Sequence, residues 1–133
     1  MAKAKTIEER NKELAPKSLK LKLYGLKLLI EPDEAKKVQI NQTIGCTRFM
    51  YNYYLNERQT LYKTKKQSLS YFGFKENLKN LKADPTYAWL KLVDKFALEN
   101  AIMDVDAAYK NFFEGRTKYP KFKKKHGAKQ SYT

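Results

Sequence analysis

The sequence predicts a mainly α-helical protein with four helices, a short N-terminal β element and a basic C-terminal segment. Apolar residues recur at three- and four-residue steps through most of residues 33–114, which is typical of helices with one buried face. Leucine alternates with lysine over residues 19–23, which is the period of a half-buried strand. Seven positive charges follow residue 115 with no acidic residue among them. With 133 residues, 42% of them hydrophobic, the chain suits one compact domain.

The N-terminal region is predicted to be a polar leader followed by a β segment. Residues 1–18 are polar and mixed in charge, and Thr6 with Glu9 fits a capping box at the start of a short helix. Residues 19–31 form the predicted β segment. Within it, Gly25 marks either a bulge or the break between two short strands.

Residues 33–115 are predicted to form a helical domain. Helical spacing runs from an N-cap at Asp33 through residues 33–44, and again through residues 46–62, with Gly45 between them. Two helices joined in this way resemble a helix-turn-helix, but one glycine is shorter than the usual three- or four-residue turn. A kinked helix and a simple helical hairpin fit the pattern equally well.

The other two helices have clear boundaries. Ser70 caps the third, which ends at Asp84, because the residue before a proline disfavours the helical conformation. Asp94 caps the fourth, and Gly115 ends it. The predicted core comes from these helices and from an anchor between them: Phe49, Met50, Leu78, Leu81, Trp89, Leu98, Ala101, Ile102, Val105 and Phe112.

The sequence predicts no catalytic residue and no metal site. Cys46 is the single cysteine, which excludes an internal disulfide framework and a cysteine-rich zinc site, and a buried structural role is favoured for it. His126 is the single histidine and lies among lysines, so no hydrolytic triad is expected. Glu99 and Asp106 lie seven residues apart on one helix face, and for them a solvated face is favoured over a magnesium site.

The net charge of +14 predicts an anionic partner. Nucleic acid is favoured over an acidic membrane, because the helices lack the one-sided pattern of lysine and apolar residues that lying on a membrane requires. No secretory signal and no spanning segment is apparent, which predicts a cytoplasmic protein.

The C-terminal segment, residues 116–133, carries the strongest sequence signal for nucleic-acid contact. Tyr119, Phe122 and Tyr132 are interleaved with its lysines, and aromatic rings among cations suit base stacking beside phosphates. This interpretation is favoured over a disordered, solubilising tail. The second helical stretch offers further polar residues that either meet DNA or form an ordinary polar face: Arg48, Asn52, Asn56 and Arg58.

Five segments of the chain, taken together and in order, resemble a known family. They are GLKLLIEPDEA (25–35), IGCTRFMYNYYL (44–55), SLSYFGFKENLKNLK (68–82), WLKLVDKFALENAI (89–102) and AYKNFFEG…KYPKFKKK (108–125). This order is similar to the N-terminal region of the TnpB (OrfB) insertion-sequence proteins, once described as transposases with a helix-turn-helix. The members of that family are RNA-guided DNA nucleases related to the miniature type V CRISPR effectors.

The resemblance implies an architecture and a function. Residues 19–31 would be the first strand of a wedge-type β-barrel, residues 33–115 a four-helix recognition lobe, and residues 116–133 the return to the barrel. The partners implied are a structured guide RNA and duplex or heteroduplex DNA that includes the motif flanking the target. The RuvC-type acids and the four-cysteine zinc element of the family are not in this sequence, so a truncated form that is not an enzyme is expected. No cofactor is expected on this chain, and magnesium only with the absent nuclease domain.

The resemblance also implies which residues touch nucleic acid. Tyr71 and Lys75 at the start of the third helix, with Lys95 and Glu99 at the start of the fourth, would face the flanking DNA. Some relatives carry an amide in place of Glu99, and a carboxylate there favours a cytosine amino group instead. Residues expected at the nucleic-acid backbone are Arg48, Lys118, Lys121, Lys123, Lys124 and Lys125. The alternative function is a stand-alone, helix-turn-helix-like DNA-binding regulator or a transposition accessory protein, which would bind duplex DNA without RNA.

Overall fold

The computed structural model describes residues 4–127 and 129–133, which are mainly helical. Its α-helices are α1 (Ile7–Leu14), α2 (Glu34–Lys65), α3 (Tyr71–Ala83) and α4 (Lys95–Phe113), and two 3-10 helices span Ala15–Lys17 and Pro85–Leu92. The predicted α-helical class is therefore confirmed. None of the helices described combines the length and apolarity that crossing a membrane requires. The chain divides into two units between residues 31 and 32.

The first unit is built around α1. The predicted capping box is present, because the Thr6 hydroxyl accepts a hydrogen bond from the Glu9 backbone N–H and the Glu9 carboxylate accepts one from the Thr6 N–H. The side chain of Asn11 holds the backbone that follows. Its Oδ1 accepts from the Leu21 N–H at 2.6 Å, and its Nδ2 donates to the Leu21 carbonyl at 3.3 Å.

The predicted β element is wrong, since residues 19–31 contain no strand. A strand is stable only when a neighbouring strand satisfies its backbone groups, and no described residue forms such a ladder with this segment. The side chains of Leu23, Leu28 and Leu29 are exposed. The alternation of leucine and lysine does not supply the partner strand that would bury one face of the segment.

The helix-turn-helix and the helical hairpin that the sequence allowed at Gly45 are not present, because α2 runs through this residue without interruption over 32 residues. A glycine in a helix costs about 1 kcal/mol relative to alanine, and the rest of a long helix outweighs that cost. Asp33 caps the helix as predicted, with its Oδ1 accepting from the Lys36 N–H at 2.8 Å. Lys66 ends the helix in the left-handed conformation, with φ at 54°.

Replacing Gly45 with alanine is expected to stabilise the chain by about 0.5–1 kcal/mol, because alanine loses less backbone entropy in a helix. A Cβ at this position would meet only Arg48 Nη2, at 3.9 Å. Gly115→Ala is the control. Gly115 has a φ of +73°, so the same added methyl group should destabilise the chain there. Urea unfolding measures both changes, and a loss of stability from Gly45→Ala would contradict a continuous α2.

Helices α3 and α4 begin at their predicted caps, and they pack with α2 and the Pro85–Leu92 helix around one core. Six of the predicted core residues are buried: Met50, Leu78, Leu98, Ala101, Ile102 and Val105. Phe49 and Leu81 pack partly buried against them. Trp89 is not the predicted anchor: it is 39% exposed and donates its indole N–H to the Thr86 carbonyl, whereas Leu90 is fully buried. Phe112 is only partly buried.

Candidate nucleic-acid interface

The side chains of Tyr71, Lys75 and Glu99 meet where α3 packs against α4, and they are called the polar cluster below. The Tyr71 hydroxyl lies 3.4 Å from Glu99 Oε2, and Lys75 Nζ lies 3.4 Å from Glu99 Oε1. Lys75 Nζ also lies 5.8 Å from the centre of the Tyr71 ring. The structure thus brings together three of the four residues predicted to face the flanking DNA.

Lys95, the fourth of these residues, is not in contact with the polar cluster. It is the first residue of α4, and its Nζ lies over the ring of Phe96 at 4.9 Å. Glu99 follows it by four residues, which places both side chains on the same face of the helix. Lys95 is therefore a separate cation one turn away from the cluster.

The polar cluster holds a positive and a negative group side by side. The Glu99 side chain is 15% exposed and the Lys75 side chain is 50% exposed, so the carboxylate lies deeper than the ammonium group. The nearby Glu99 carboxylate raises the pKa of Lys75, which keeps the ammonium group charged at neutral pH. A hydrogen-bond donor next to an acceptor matches the edges of base pairs in the major groove, which also present donors and acceptors together.

Asp106 on α4 supports this cluster by joining α2, α3 and α4. Its Oδ1 accepts from the Tyr54 hydroxyl at 2.7 Å and pairs with the Arg58 guanidinium. Its Oδ2 accepts a hydrogen bond of 3.2 Å from the backbone N–H of Tyr71, and Tyr71 is the first residue of α3. A carboxylate at this end of a helix is favourable, because the first N–H groups have no partner within the helix. The solvated face predicted for Asp106 is therefore wrong.

Tyr54 and Arg58 complete the environment of Asp106. Burial raises the pKa of the Tyr54 phenol well above its ordinary value, and the hydrogen bond to Asp106 raises it further, so the phenol stays a donor. The Arg58 guanidinium lies 4.0 Å above the ring of Tyr109, and only 14% of its side chain is exposed. Arg58 thus has a structural role. The sequence had left open whether Arg58 meets DNA or belongs to an ordinary polar face.

The basic segment, residues 116–133, lies against α2 and α4. Asn52 forms two hydrogen bonds with the backbone of Lys123: its Nδ2 donates to the carbonyl at 2.9 Å, and its Oδ1 accepts from the N–H at 2.7 Å. Arg48 donates to Gln130 at 3.2 Å, and Asn100 Nδ2 donates to the Thr133 carbonyl at 3.0 Å. Contacts along the described part of the segment therefore hold it on the helices.

Most of the predicted backbone-binding cations are exposed on this docked segment: Lys118, Lys121, Lys123, Lys124 and Lys125. Lys123 Nζ lies 4.4 Å above the ring of Tyr51, which restrains its stem. Arg48, on α2, is partly buried. Asn52 was one of the residues that the sequence assigned either to DNA or to a plain polar face. Its two bonds to Lys123 give it a third role, holding the basic segment.

Among the described residues, no three His, Cys, Asp or Glu side chains gather where they could hold a metal ion. His126 is exposed, in line with the expected solvated histidine. Cys46 is buried, and burial raises the pKa of its thiol, which agrees with the structural role expected for it.

Part of this chain is similar in sequence to a known protein family. Residues 23–67 match the family HTH_OrfB_IS605, described as a helix-turn-helix domain. This match and the relatives below confirm the resemblance carried by the five sequence segments, so the chain carries the helix-turn-helix domain of the OrfB/IS605 transposon proteins. Within the matched residues, the structure has a non-helical stretch followed by one continuous helix, rather than two helices and a turn.

Three curated relatives extend the similarity beyond the matched domain. A putative RNA-guided DNA endonuclease of Streptomyces pristinaespiralis is 31% identical over 104 residues, which cover 77% of this chain and 26% of that protein. The putative RNA-guided DNA endonuclease InsQ of Escherichia coli K12 is 26% identical, covering 78% of this chain and 26% of its own length. The virulence protein VsdF of Salmonella dublin is 29% identical, covering 79% of this chain and 96% of its own length. The chain thus spans about a quarter of the relatives named endonucleases.

Proposed function

We propose that this chain is a nucleic-acid-binding module of a TnpB-like, RNA-guided system, and that it binds a structured guide RNA and the DNA flanking the target. The observation that carries the proposal is the docking of the basic segment on α2 and α4. A disordered tail would lose conformational entropy on binding, whereas a docked segment presents its lysines with part of that cost already met. Asn52, Arg48 and Asn100 hold it by hydrogen bonds.

The charge on this surface favours phosphate as the ligand. The net charge of +14 makes release of counterions from nucleic acid a strong driving force. Lys121, Lys124 and Lys125 are exposed close together along the segment and can each neutralise a phosphate. These contacts position the nucleic acid but carry no sequence information.

The polar cluster and Lys95 are proposed to read the flanking DNA. Lys75 supplies a donor and Glu99 an acceptor, while the Tyr71 ring offers a face to a base or sugar. Lys95, one turn before Glu99, is suited to an adjacent phosphate or purine edge. The proposal thus separates a backbone-binding segment from a base-reading cluster.

Cleavage is not assigned to these 133 residues. The relatives named endonucleases are about four times longer than the part that aligns, so their activity is proposed to depend on the remainder of those proteins. We accordingly propose no cofactor for this chain, magnesium only for a nuclease domain, no membrane partner, and action in the cytoplasm.

Binding to three labelled ligands tests the proposal: duplex DNA, single-stranded DNA and a structured RNA, each at two salt concentrations. The expected result is preference for structured RNA, with an affinity that falls steeply as salt rises. Binding that survives molar salt, or no binding to any of the three ligands, would overturn the proposal.

A stand-alone DNA-binding regulator or transposition accessory protein is the second candidate. The alignment with VsdF favours it, because that alignment covers 96% of VsdF. VsdF is therefore a relative whose whole length is close to the length aligned here. Sequence-dependent duplex binding that requires Lys95 and no RNA would support this candidate over the first.

Replacing Lys124 with glutamine is expected to lower the slope of log affinity against log salt by about one, which is the value for one phosphate contact. The effect should be similar for all sequences, because a phosphate contact does not distinguish bases. Lys12→Gln on α1 removes the same charge elsewhere and should leave the slope unchanged. Fluorescence anisotropy across a salt series measures both variants, and equal slopes would show that Lys124 makes no phosphate contact.

A further inference from the structure

An aromatic groove lies beside the last turns of α2 and α4. Its volume is about 590 Å³, within the range of sites that take small organic groups. Its walls include five aromatic rings and one lysine: Tyr62, Lys63, Tyr109, Phe112, Phe113 and Tyr119. No residue of the polar cluster lines it, so this is a separate surface.

The rings of the groove are partly fixed and partly open. Tyr119 stands edge-on to Tyr109 with ring centres 5.6 Å apart, and the two hydroxyls share a hydrogen bond of 2.9 Å. It is also edge-on to Phe112 at 5.2 Å. Tyr62 and Phe113 are 60% and 75% exposed, respectively. Tyr109, Phe112 and Tyr119 are therefore held by contacts with one another, whereas the rings of Tyr62 and Phe113 are exposed and a flat ligand can stack on them.

The polar groups of the groove are cations, amides and hydroxyls, with no carboxylate among the lining side chains. Lys63 is an exposed cation on α2, and Lys66 Nζ lies 5.1 Å from the ring centre of Tyr62. Gln59 and Gln67 supply amides, which can both donate and accept hydrogen bonds. The groove thus combines stacking faces with amide groups and phosphate-binding cations.

We propose that the aromatic groove binds one unpaired nucleobase of an RNA loop or bulge. The base would stack on the exposed rings, its edge would meet the amides, and Lys63 would meet an adjacent phosphate. RNA is favoured over single-stranded DNA because Ser68 and the amides can also bond a 2′-hydroxyl group. The inference rests on the proposed nucleic-acid binding, but it concerns a different surface.

Charge argues against a second copy of the chain as the occupant. Two copies would each bring a net charge of +14 to the contact, and no lining carboxylate offsets the repulsion at this groove. The same positive charge attracts a polyanion such as RNA.

The test uses RNA hairpins of one sequence, with a single bulged 2-aminopurine or with that base paired, and the DNA hairpin with the same bulge. The protein variants are Tyr62→Ala and Phe113→Ala, whose side chains are exposed, so folding should persist and circular dichroism can verify it. Tyr24→Ala is the matched control, since Tyr24 is 85% exposed and lies in the first unit. Fluorescence quenching reports stacking of the bulged base, and anisotropy reports affinity.

The expected result is quenching of the bulged RNA base and binding that weakens about tenfold in each groove variant but not in Tyr24→Ala. Unchanged quenching in both groove variants would overturn the inference, as would equal binding of the DNA bulge. A dimer that Phe113→Ala dissociates in sedimentation would also overturn it, because a second copy would then occupy the groove. If any of these results is obtained while the fully paired hairpin still binds, the inference about the groove fails and the proposed nucleic-acid binding stands. If the native chain binds no hairpin, the proposed function fails with it.

Discussion

Asp106→Ala is expected to lower the free energy of unfolding by about 2–3 kcal/mol, because it leaves the nearly buried Arg58 without its ion partner. The same change removes one of the two acceptors of the Tyr54 hydroxyl, the other being the Leu69 carbonyl at 3.1 Å, and it removes the acceptor of the first N–H of α3. Asp106 itself is 34% exposed, so we place the loss below that of a fully buried pair. Urea unfolding followed by circular dichroism measures the change.

Two further variants make this result specific. Asp104→Ala removes an exposed carboxylate two residues away on α4 and should change stability by less than about 0.5 kcal/mol. Asp106→Asn keeps a carbonyl oxygen that can accept from Tyr54 or from the Tyr71 N–H, so its loss should fall between the other two. An equal effect of Asp104→Ala and Asp106→Ala would show that Asp106 does not join the three helices as described.

Glu99→Gln is expected to have the largest effect on DNA recognition. The carboxylate can only accept a hydrogen bond, which suits a cytosine amino group, whereas an amide donates and accepts in the pattern of adenine. Preference at one flanking base pair should therefore move from cytosine to adenine by about 1–3 kcal/mol, which is roughly fivefold to 150-fold. Lys75 also loses its ion partner, so binding to all duplexes should tighten.

Competition among duplexes that differ at single flanking positions measures this change. Glu76→Gln is the control, because Glu76 is exposed on α3 and loses the same charge without touching the cluster's hydrogen bonds. Glu76→Gln should tighten binding slightly and leave base preference unchanged. If Glu99→Gln and Glu76→Gln behave alike, the carboxylate of Glu99 acts only through its charge and does not read a base.

Local signals in the sequence were sufficient to predict where the α-helices begin. Thr6, Asp33, Ser70 and Asp94 each cap a helix as predicted, because a cap depends on hydrogen bonds within a few residues. At Gly45 the local signal gave a wrong boundary. Glycine weakens a helix, but packing of the whole α2 against α4 decides whether the helix continues.

Features that depend on distant residues could not be predicted in this way. The pairing of Asp106 with Arg58 joins residues 48 positions apart, and spacing along one helix gives no information about it. The meeting of Tyr71 with Glu99 was expected only through family resemblance. The β interpretation of residues 19–31 failed because an alternating pattern does not show where a partner strand would come from.

The unbroken α2 has a mechanical consequence. A helix rises about 1.5 Å per residue, so the 14 positions between Arg48 and Tyr62 correspond to about 21 Å along one stiff rod. Arg48 contacts the basic segment and Tyr62 lines the aromatic groove, so α2 fixes the spacing of these two surfaces along its axis. A nucleic acid that contacts both surfaces would have to place the two contacting groups about 21 Å apart along the axis of α2.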